Sequence, residues 1–149
     1  MGGKALRTIF ILNGPNLNLL GQREPEIYGR TTLDEIRGWC EGDAKELNVA
    51  IDFRQSNFEG EIIEAVHAAR TQAAGIIINP AGYTFTSIAI LDALKMFNGP
   101  KIELHISNVH QREEIYHKSL VSKTATAVMA GFGAYGYRLA LRAMAEMTK

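Results

Sequence analysis

The sequence predicts an α/β fold built on a parallel sheet, and three observations carry that prediction. Short apolar runs typical of buried strands alternate with amphipathic helical segments five times along the chain. Its 149 residues, 46% of them hydrophobic, suffice for one core and one domain over residues 1–149, whereas an eight-stranded α/β barrel needs about 250. Five strands with helices on both faces suit a flavodoxin-like three-layer sandwich with strand order 2-1-3-4-5.

The first predicted strand and helix flank an unusually long loop. Residues 7–12 form a short apolar run that Asn-Gly-Pro ends, as a turn ends a buried strand. Residues 13–31 follow as a loop longer than ordinary connections, and loops of that length tend to carry function. Thr31 or Thr32 then caps a helix with two acidic residues in its first turn. The apolar positions of this helix recur at helical spacing, at Leu33, Ile36, Trp39, Cys40 and Leu47.

Two further strands and two helices are predicted in the middle of the chain. Residues 49–54 and 75–79 predict strands, the second being a continuous apolar run typical of a strand covered on both faces. Residues 59–73 predict a helix between them. Thr86 or Ser87 caps the next helix. Its apolar residues in register are Ile90, Leu94 and Phe97.

The last part of the chain completes the five units. Residues 100–106 predict the fourth strand, and a short acidic helical turn follows near residues 112–117. Residues 126–131 predict the fifth strand. The last helix aligns three apolar residues, Tyr137, Leu141 and Met144. Ligands of such sheets bind outside the carboxyl ends of the strands, so the segments after strands 1, 3 and 4 are predicted to hold the site.

Charge and cysteine content exclude several classes of function. Sixteen Lys and Arg residues balance sixteen Asp and Glu residues without a basic run, so nucleic acid is not an expected partner. Cys40, the single cysteine, cannot form an intramolecular disulfide, which favours a cytoplasmic location. The apolar run at residues 9–12 is too short for a signal peptide or a membrane span, so no membrane is expected as a partner.

Two patterns that suggest a cofactor or a metal fail on their context. Residues 131–136 match the Gly-x-Gly-x-x-Gly spacing of dinucleotide-binding loops, but only 13 residues follow, too few for the acidic ribose partner. Close packing of a helix on the sheet is our interpretation of these glycines. The four histidines share no metal-ligand spacing, so a metal is not expected. We expect His67 to be a surface or packing residue and His110 and His117 to be solvated.

His105 stands apart from the other histidines because it closes a strand where ligands bind. Period-2 alternation puts Glu103 and His105 on the same face of that strand. A carboxylate beside an imidazole fixes the tautomer and suits the imidazole to act as a general acid. Taken alone, the fragment favours a structural histidine with a satisfied hydrogen bond.

Other polar residues near the same edge of the sheet change that interpretation. Asn79 ends the third strand, Asn16 follows the first, and the long loop carries Arg23 and Tyr28. A phenol becomes a base near neutral pH only where cations favour its phenolate form, and Arg23 and Arg112 are the candidate cations. An acid–base site at this edge is therefore a hypothesis that the sequence supports.

Long ordered motifs run through nearly the whole chain. They are Leu12-Asn-Gly-Pro-Asn-Leu-Asn-Leu-Leu-Gly21, Arg23-Glu-Pro25, Tyr28-Gly29, Asn79-Pro80, Thr84-x-Thr86-Ser87, Glu103-x-His105-Ile-Ser-Asn108 and His110-x-Arg112-Glu113. Together they resemble the type II 3-dehydroquinase family, whose fold agrees with the flavodoxin-like prediction. The resemblance implies trans-type elimination of water from 3-dehydroquinate through an enolate to give 3-dehydroshikimate, without metal, cofactor or lysine Schiff base.

The resemblance also implies a role for each matching residue. Tyr28 takes the C2 proton with Arg23 beside it, and Asn16 holds the water that stabilises the enolate. His105, oriented by Glu103, protonates the departing C1 hydroxyl. The residues that hold this small-molecule substrate or keep Tyr28 ionised are Asn79, Asp92, Ile106, Ser107 and Arg112. Asp92 comes from a neighbouring subunit, since the family forms trimers that assemble into dodecamers.

Three positions depart from the family pattern. Phe85 stands where the family usually has a histidine, and Leu91 and Tyr116 each replace an arginine. In the family the missing histidine and the second of these arginines bind the ring hydroxyls remote from the carboxylate. Each hydroxyl left unpaired against Phe85 costs about 1–3 kcal/mol of binding free energy, so either dehydroquinate binds poorly or the ligand differs there.

The departures leave two alternatives to a type II dehydroquinase. One is a paralogue that performs the same elimination on a related cyclic hydroxy-ketone acid. The other is a non-catalytic protein of the same fold that binds small acids. The four residues of the acid–base set argue against the second alternative, since binding alone does not need them. These residues are Arg23, Tyr28, Glu103 and His105.

Overall fold

A computed structural model describes residues 5–22 and 24–149 and contains the predicted five-stranded parallel sheet. Its strand order is β2-β1-β3-β4-β5, which confirms the order expected from the sequence. The strands are β1 (Thr8–Asn13), β2 (Ala50–Gln55), β3 (Gly75–Asn79), β4 (Lys101–His105) and β5 (Ala127–Ala130). Each begins and ends within a residue of the predicted range.

Helices cover both faces of the sheet. Of the α-helices, α2 (Leu33–Leu47), α3 (Glu59–Gln72), α4 (Ile88–Lys95) and α5 (Gly136–Met147) pack on the sheet, and α1 (Pro25–Tyr28) is a single turn in the loop after β1. Alternate residues of β1 face opposite layers: Ile9 packs in the core that includes α2 and α5, and Phe10 packs in the core that includes α3 and α4. The central strands are therefore buried on both faces, as their uninterrupted apolar runs require.

The register of the sheet brings polar strand ends to one level. Asn13 at the end of β1 pairs with Asn79 at the end of β3, and with Gln55 at the end of β2. The amide of Gly14 donates to the carbonyl of Asn79 over 2.8 Å, which continues the ladder one step past the strands. Side chains that follow β1 and β3 consequently share one edge of the sheet.

Side-chain caps determine where two helices begin. The hydroxyl of Thr32 accepts from the amide of Glu35 over 3.1 Å at the start of α2, so Thr32 rather than Thr31 is the cap. Ser87 does the same for α4, accepting from the amide of Ile90 over 2.9 Å. The sequence had left both choices open, because neighbouring hydroxyl residues carry the same signal.

The loop after β1 contains a helix that the sequence pattern did not predict. Its one turn, α1, lies between Glu24 and Gly29, both of which have positive φ angles, of 41° and 80°. Pro25 occupies the first helical position, where its missing amide proton costs nothing. The loop thus presents Tyr28 from a short helix rather than from irregular chain.

Two different constraints explain why glycine occupies three positions after β5. A Cβ added to Gly136 would lie 3.2 Å from Leu104, so close packing of α5 on the sheet explains that glycine as predicted. Gly131 and Gly133 instead have φ angles of 95° and 66°, which residues with a side chain rarely adopt. Their amides donate to the carbonyls of His105 and Ile106, so this turn fixes the end of β4.

Candidate active site

A cleft of about 130 Å³ lies at the carboxyl ends of β1, β3 and β4. Most of the predicted site residues that the structure describes line it. The predicted residues that line it are Asn16, Tyr28, Asn79, His105, Ile106, Ser107 and Arg112. Phe85 and Tyr116, two of the three positions that depart from the family pattern, line it as well. A groove of about 870 Å³ beside β2 and α3 contains none of the described candidates. Another of about 890 Å³ shares Ile106, Ser107 and Arg112 with the cleft but contains neither Tyr28 nor His105. The small cleft is therefore the candidate site.

His105 and Glu103 form a buried pair at the end of β4. Oε2 of Glu103 lies 2.5 Å from Nε2 of His105, and the two side chains are 1% and 6% exposed. Their contact confirms that alternation along the strand places them on the same face. Because Glu103 engages Nε2, Nδ1 is the ring nitrogen that Glu103 leaves for a ligand.

The carboxylate of Glu103 is held in its charged form. Burial alone would raise its pKa, but hydrogen bonds from His105, Ser122 and Ser119, together with the electrostatic interaction with His105, outweigh burial and lower the pKa from its ordinary value. The hydroxyl of Ser122 donates to Oε1 over 2.5 Å, opposite the oxygen that His105 uses. An ionised carboxylate in this position can accept a hydrogen bond from Nε2 and so fix the orientation of the imidazole.

A second buried polar group lies beneath the cleft and was missed by the sequence analysis. The carboxamide of Asn79 donates to the hydroxyl of Tyr137 over 3.0 Å, and that hydroxyl donates to Oδ1 of Asn13 over 2.6 Å. Nδ2 of Asn13 then donates to the carbonyl of Arg54 over 3.0 Å. Burial raises the pKa of Tyr137, so its phenol stays protonated and serves as a fixed link. A tyrosine on an apolar helix stripe was the available signal, since a buried phenol needs a partner.

Tyr28 and Arg112 come together at the mouth of the cleft. The guanidinium carbon of Arg112 lies 5.6 Å from the centre of the Tyr28 ring and 4.0 Å from that of Tyr116. The predicted contact of a cation with Tyr28 is therefore present through Arg112. Arg23, the other predicted cation, lies outside the described residues.

Backbone geometry positions two further predicted groups. Asn16 has a left-handed conformation, with φ of 72°, and its amide donates to Oδ1 of Asn57 over 2.9 Å. Ile106 and Ser107 directly follow β4 and line the cleft beside His105. Asn57 was not predicted; it is the side chain that fixes the turn at Asn16.

Two described candidates do not line the cleft: Glu103, which is bonded to His105 at its edge, and Asp92. Asp92 lies on the exposed side of α4, and the residues around the cleft do not include it. Within one chain, this carboxylate therefore does not contact the site. The expectation that it serves a neighbouring subunit stays a prediction.

Aromatic side chains form one wall of the cleft. The ring of Phe85 lies 6.2 Å from that of His105 at an angle of 22°, and 5.5 Å from that of Tyr116 at 77°. Arg112 covers the other side of this wall through its contact with Tyr116. The cleft thus has an apolar surface beside His105.

The remaining histidines contribute no metal site. Within residues 5–22 and 24–149, no three or more His, Cys, Asp or Glu side chains are grouped so that they could hold a metal ion. His67 and His110 are exposed, as expected. His117 is exposed as well, but Nε2 of its ring also bonds to the carbonyl of Arg112 over 2.7 Å. Among the described residues, each helix is either too short or too polar to span a lipid bilayer.

A family model, curated relatives and a solved structure all match this chain over more than nine-tenths of its length. The family model "Dehydroquinase class II" matches residues 7–145. The 3-dehydroquinate dehydratase of Cereibacter sphaeroides is 56% identical over 140 residues, covering 94% of this chain and 95% of its own. The 3-dehydroquinate dehydratase 2 of Pseudomonas aeruginosa is 54% identical with the same coverage. The crystal structure of type II dehydroquinase from Propionibacterium acnes superposes with a TM-score of 0.91 at 42% identity, over 94% and 97% of the two chains.

Proposed function

The chain belongs to the class II dehydroquinase family, a family of hydro-lyases, and on that premise we propose that it dehydrates 3-dehydroquinate with a tyrosine base and a histidine acid. The observation that carries the proposal is the shared cleft. Tyr28, beside the guanidinium of Arg112, and His105, bonded to a charged Glu103, line the same small space. A base and an acid in one cleft are what elimination of water from a β-hydroxy ketone needs.

The proposed reaction begins with the base. Tyr28 as phenolate removes a proton from C2, and the electrons of the C–H bond move to the neighbouring carbonyl, giving an enolate. A cation near the phenol favours its charged form, which is the role that the contact with Arg112 supports. Asn16 binds the water that donates to the enolate oxygen, since it lines the cleft in a fixed left-handed turn.

The second step expels the hydroxyl group. The enolate collapses to a double bond between C1 and C2 while Nδ1 of His105 gives a proton to the departing C1 oxygen, which leaves as water. Glu103 keeps the ring oriented through Nε2 and stabilises the proton that it carries. The products are 3-dehydroshikimate and water, and no electron acceptor is required.

Polar groups around the acid hold the substrate. The backbone at Ile106 and Ser107 binds its carboxylate, and Asn79 binds a hydroxyl. Asn79 is suited to this because Tyr137 and the amide of Ala81 already fix its carboxamide. A preoriented group loses less conformational freedom when substrate arrives than a mobile one does.

We also propose that the protein is a homo-oligomer, and the position of Asp92 supports this. Its exposed position on α4 allows the carboxylate to reach the cleft of a neighbouring copy, in trimers that assemble into dodecamers. The carboxylate would then help to keep Tyr28 of that copy ionised. We also propose a cytoplasmic location, because the single cysteine needs no oxidising compartment.

The test of the proposed function is direct. Purified protein mixed with 3-dehydroquinate is expected to develop the ultraviolet absorbance of a conjugated enone. Tyr28→Phe and His105→Ala are expected to lower kcat at least about 100-fold, the usual contribution of a general acid or base. No absorbance change at saturating substrate would refute dehydration of 3-dehydroquinate, and unchanged rates in both variants would refute the assigned base and acid.

The aromatic wall favours a second candidate substrate. Phe85 and Tyr116 offer no hydrogen bond to hydroxyls on their side of a ring, except through the single phenol of Tyr116. A cyclic hydroxy-ketone acid that lacks a hydroxyl there would fit this wall better. If 3-dehydroquinate is turned over only by Phe85→His, the changed substrate is the better account. A thermal shift with 3-dehydroquinate but no turnover in either protein would favour a binding protein.

A further inference from the structure

Ser122 lies beside the buried carboxylate that orients His105. Its hydroxyl donates to Oε1 of Glu103, whereas Oε2 of the same carboxylate holds Nε2 of His105, and both distances are 2.5 Å. Glu103 is 1% exposed, so its charge depends on these two partners, and to a smaller extent on the Ser119 hydroxyl, more than on bulk water. Hydroxyl, carboxylate and imidazole thus form a continuous chain that ends in the cleft.

The turn that carries Ser122 is held by contacts of its own. The amide of Leu120 donates to the carbonyl of Thr84 over 2.9 Å, and the amide of Ser122 donates to Oγ of Ser119 over 3.0 Å. Val121, the residue between them, is buried in the core formed with α3 and α4. The position of the Ser122 hydroxyl is therefore determined by the fold and does not depend on ligand binding.

We propose that Ser122 is a positioning residue that keeps Glu103 ionised and the proton on His105. This inference rests on the proposed function, in which His105 is the acid. Without a donor at Oε1, the buried carboxylate is left with an unpaired charged oxygen, which is unfavourable. Taking the proton from Nε2 removes that charge at the smallest cost in free energy. The pair is then neutral, and the imidazole keeps only its Nδ1 proton, which a neutral ring donates far less readily than an imidazolium does. Ser122 acts through Glu103 and does not itself contact the reacting atoms.

A test of the Ser122 hydroxyl has to distinguish its effect on the charge of Glu103 from the effect of cations near the same carboxylate. The groove on the outer side of Glu103 is lined by both serines and by basic side chains. A nearby cation favours an ionised carboxylate just as a donor does. The basic residues there are His110, His117, Lys118 and Lys123.

A matched pair of variants isolates the hydroxyl. Ser122→Val and Ser122→Thr introduce side chains of the same shape, and only threonine keeps the donor. The side-chain ¹⁵N NMR signals of His105 in the free protein report its protonation. At a pH where the wild-type ring is charged, Ser122→Val is expected to show a neutral imidazole and Ser122→Thr the wild-type signals. Lys123→Gln, which removes a groove charge, is expected to leave the signals unchanged.

Turnover supplies an independent measurement. With 3-dehydroquinate, kcat of Ser122→Val is expected to fall about tenfold or more while KM stays within about twofold, since a hydrogen bond to a charged group is lost without a substrate contact. A wild-type His105 signal in Ser122→Val would overturn the proposal, as would the same loss in Ser122→Thr. Should valine disturb the near-ultraviolet circular dichroism, Ser122→Ala takes its place and must move the signals in the same direction.

The NMR measurement needs no substrate, so it separates this inference from the proposed function. A neutral imidazole in Ser122→Val together with no turnover by the wild type would refute the dehydratase and leave the role of Ser122 intact. Normal wild-type turnover together with unchanged NMR signals in Ser122→Val would refute the role of Ser122 alone.

Discussion

The carboxamide of Asn79 donates to the hydroxyl of Tyr137 over 3.0 Å, although 58 residues separate them in the chain. Asn79 lines the cleft, whereas Tyr137 is fully buried on α5 behind it. The same hydroxyl donates to Asn13, so one phenol ties together the ends of β1 and β3. The geometry of a group that lines the cleft therefore depends on a buried residue that does not line it.

Removal of this hydroxyl is expected to reduce both stability and affinity. Tyr137→Phe leaves Nδ2 of Asn79 and Oδ1 of Asn13 without their buried partner, which should lower the free energy of unfolding by about 1–3 kcal/mol. Urea denaturation measures the loss. KM for 3-dehydroquinate should rise as the Asn79 carboxamide loses its fixed orientation. Tyr135→Phe, an exposed position, serves as the control and should change neither quantity.

The layers of this fold could be predicted because burial imposes patterns on the sequence. Residues 75–79 are apolar at every position but the last and are buried throughout, as a central strand must be. Thr32 and Ser87 cap their helices because a short hydroxyl side chain can accept a hydrogen bond from a free amide in the first helical turn. Glu103 and His105 were paired correctly because strand alternation depends only on spacing.

The parts that were not predicted depend on contacts between distant segments. The partner of Tyr137 is set by how α5 packs on β1 and β3, which residue spacing does not encode. The helix α1 depends on a left-handed Glu24, a conformation that its residue type does not favour. Ser122 reaches Glu103 because a turn 19 residues later folds back on β4. Only the folded arrangement shows these relationships.

Cys40 is expected to be inert towards thiol reagents in the folded protein. The thiol is fully buried, and burial raises its pKa to about 12, so almost no thiolate forms near neutral pH. A disulfide reagent such as DTNB should react only as fast as the protein unfolds, and at once in strong urea. Because Cys40 is the only cysteine, any rapid native reaction would contradict this burial.

The same shift predicts a loss of stability at alkaline pH. The folded pKa of Cys40 lies above the unfolded value of 9.0, so its contribution is complete below pH 9.0 and declines as the pH rises towards 12. The free energy of unfolding of Cys40→Ala should fall less over that range than that of the wild type. Parallel curves for the two proteins would show that the thiol does not contribute.

Arg112 is expected to act through its planar guanidinium and not through charge alone. It lies over Tyr116 at 4.0 Å and near Tyr28 at 5.6 Å, a stacked arrangement that an ammonium cannot reproduce. Arg112→Lys should therefore lower kcat/KM about tenfold or more, while far-ultraviolet circular dichroism stays unchanged. Arg70→Lys, at an exposed position near the end of α3, is the matched control and should retain full activity. Activity retained in Arg112→Lys would show that a positive charge suffices.

Glu103 is expected to shape the stability of the protein in acid. Its folded pKa lies below the ordinary value of 4.5, because the interactions with His105, Ser122 and Ser119 outweigh the opposing effect of burial. A lowered folded pKa means that the unfolded chain binds more protons, so this contribution is present above pH 4.5 and is lost as the pH falls through the folded pKa.

Glu103→Gln should therefore flatten the decline of unfolding free energy below pH 4.5, measured by urea denaturation at a series of pH values. Asp43 has a lowered pKa as well, through its hydrogen bonds with Arg138, and some acid dependence will remain for that reason. Asp43→Asn removes this second contribution, and the double variant should be flatter than either single one because the two sites lie on different elements. An acid decline as steep in Glu103→Gln as in the wild type would mean that the buried carboxylate is not charged in the folded protein, and the assignment of His105 as a protonated acid would lose its basis.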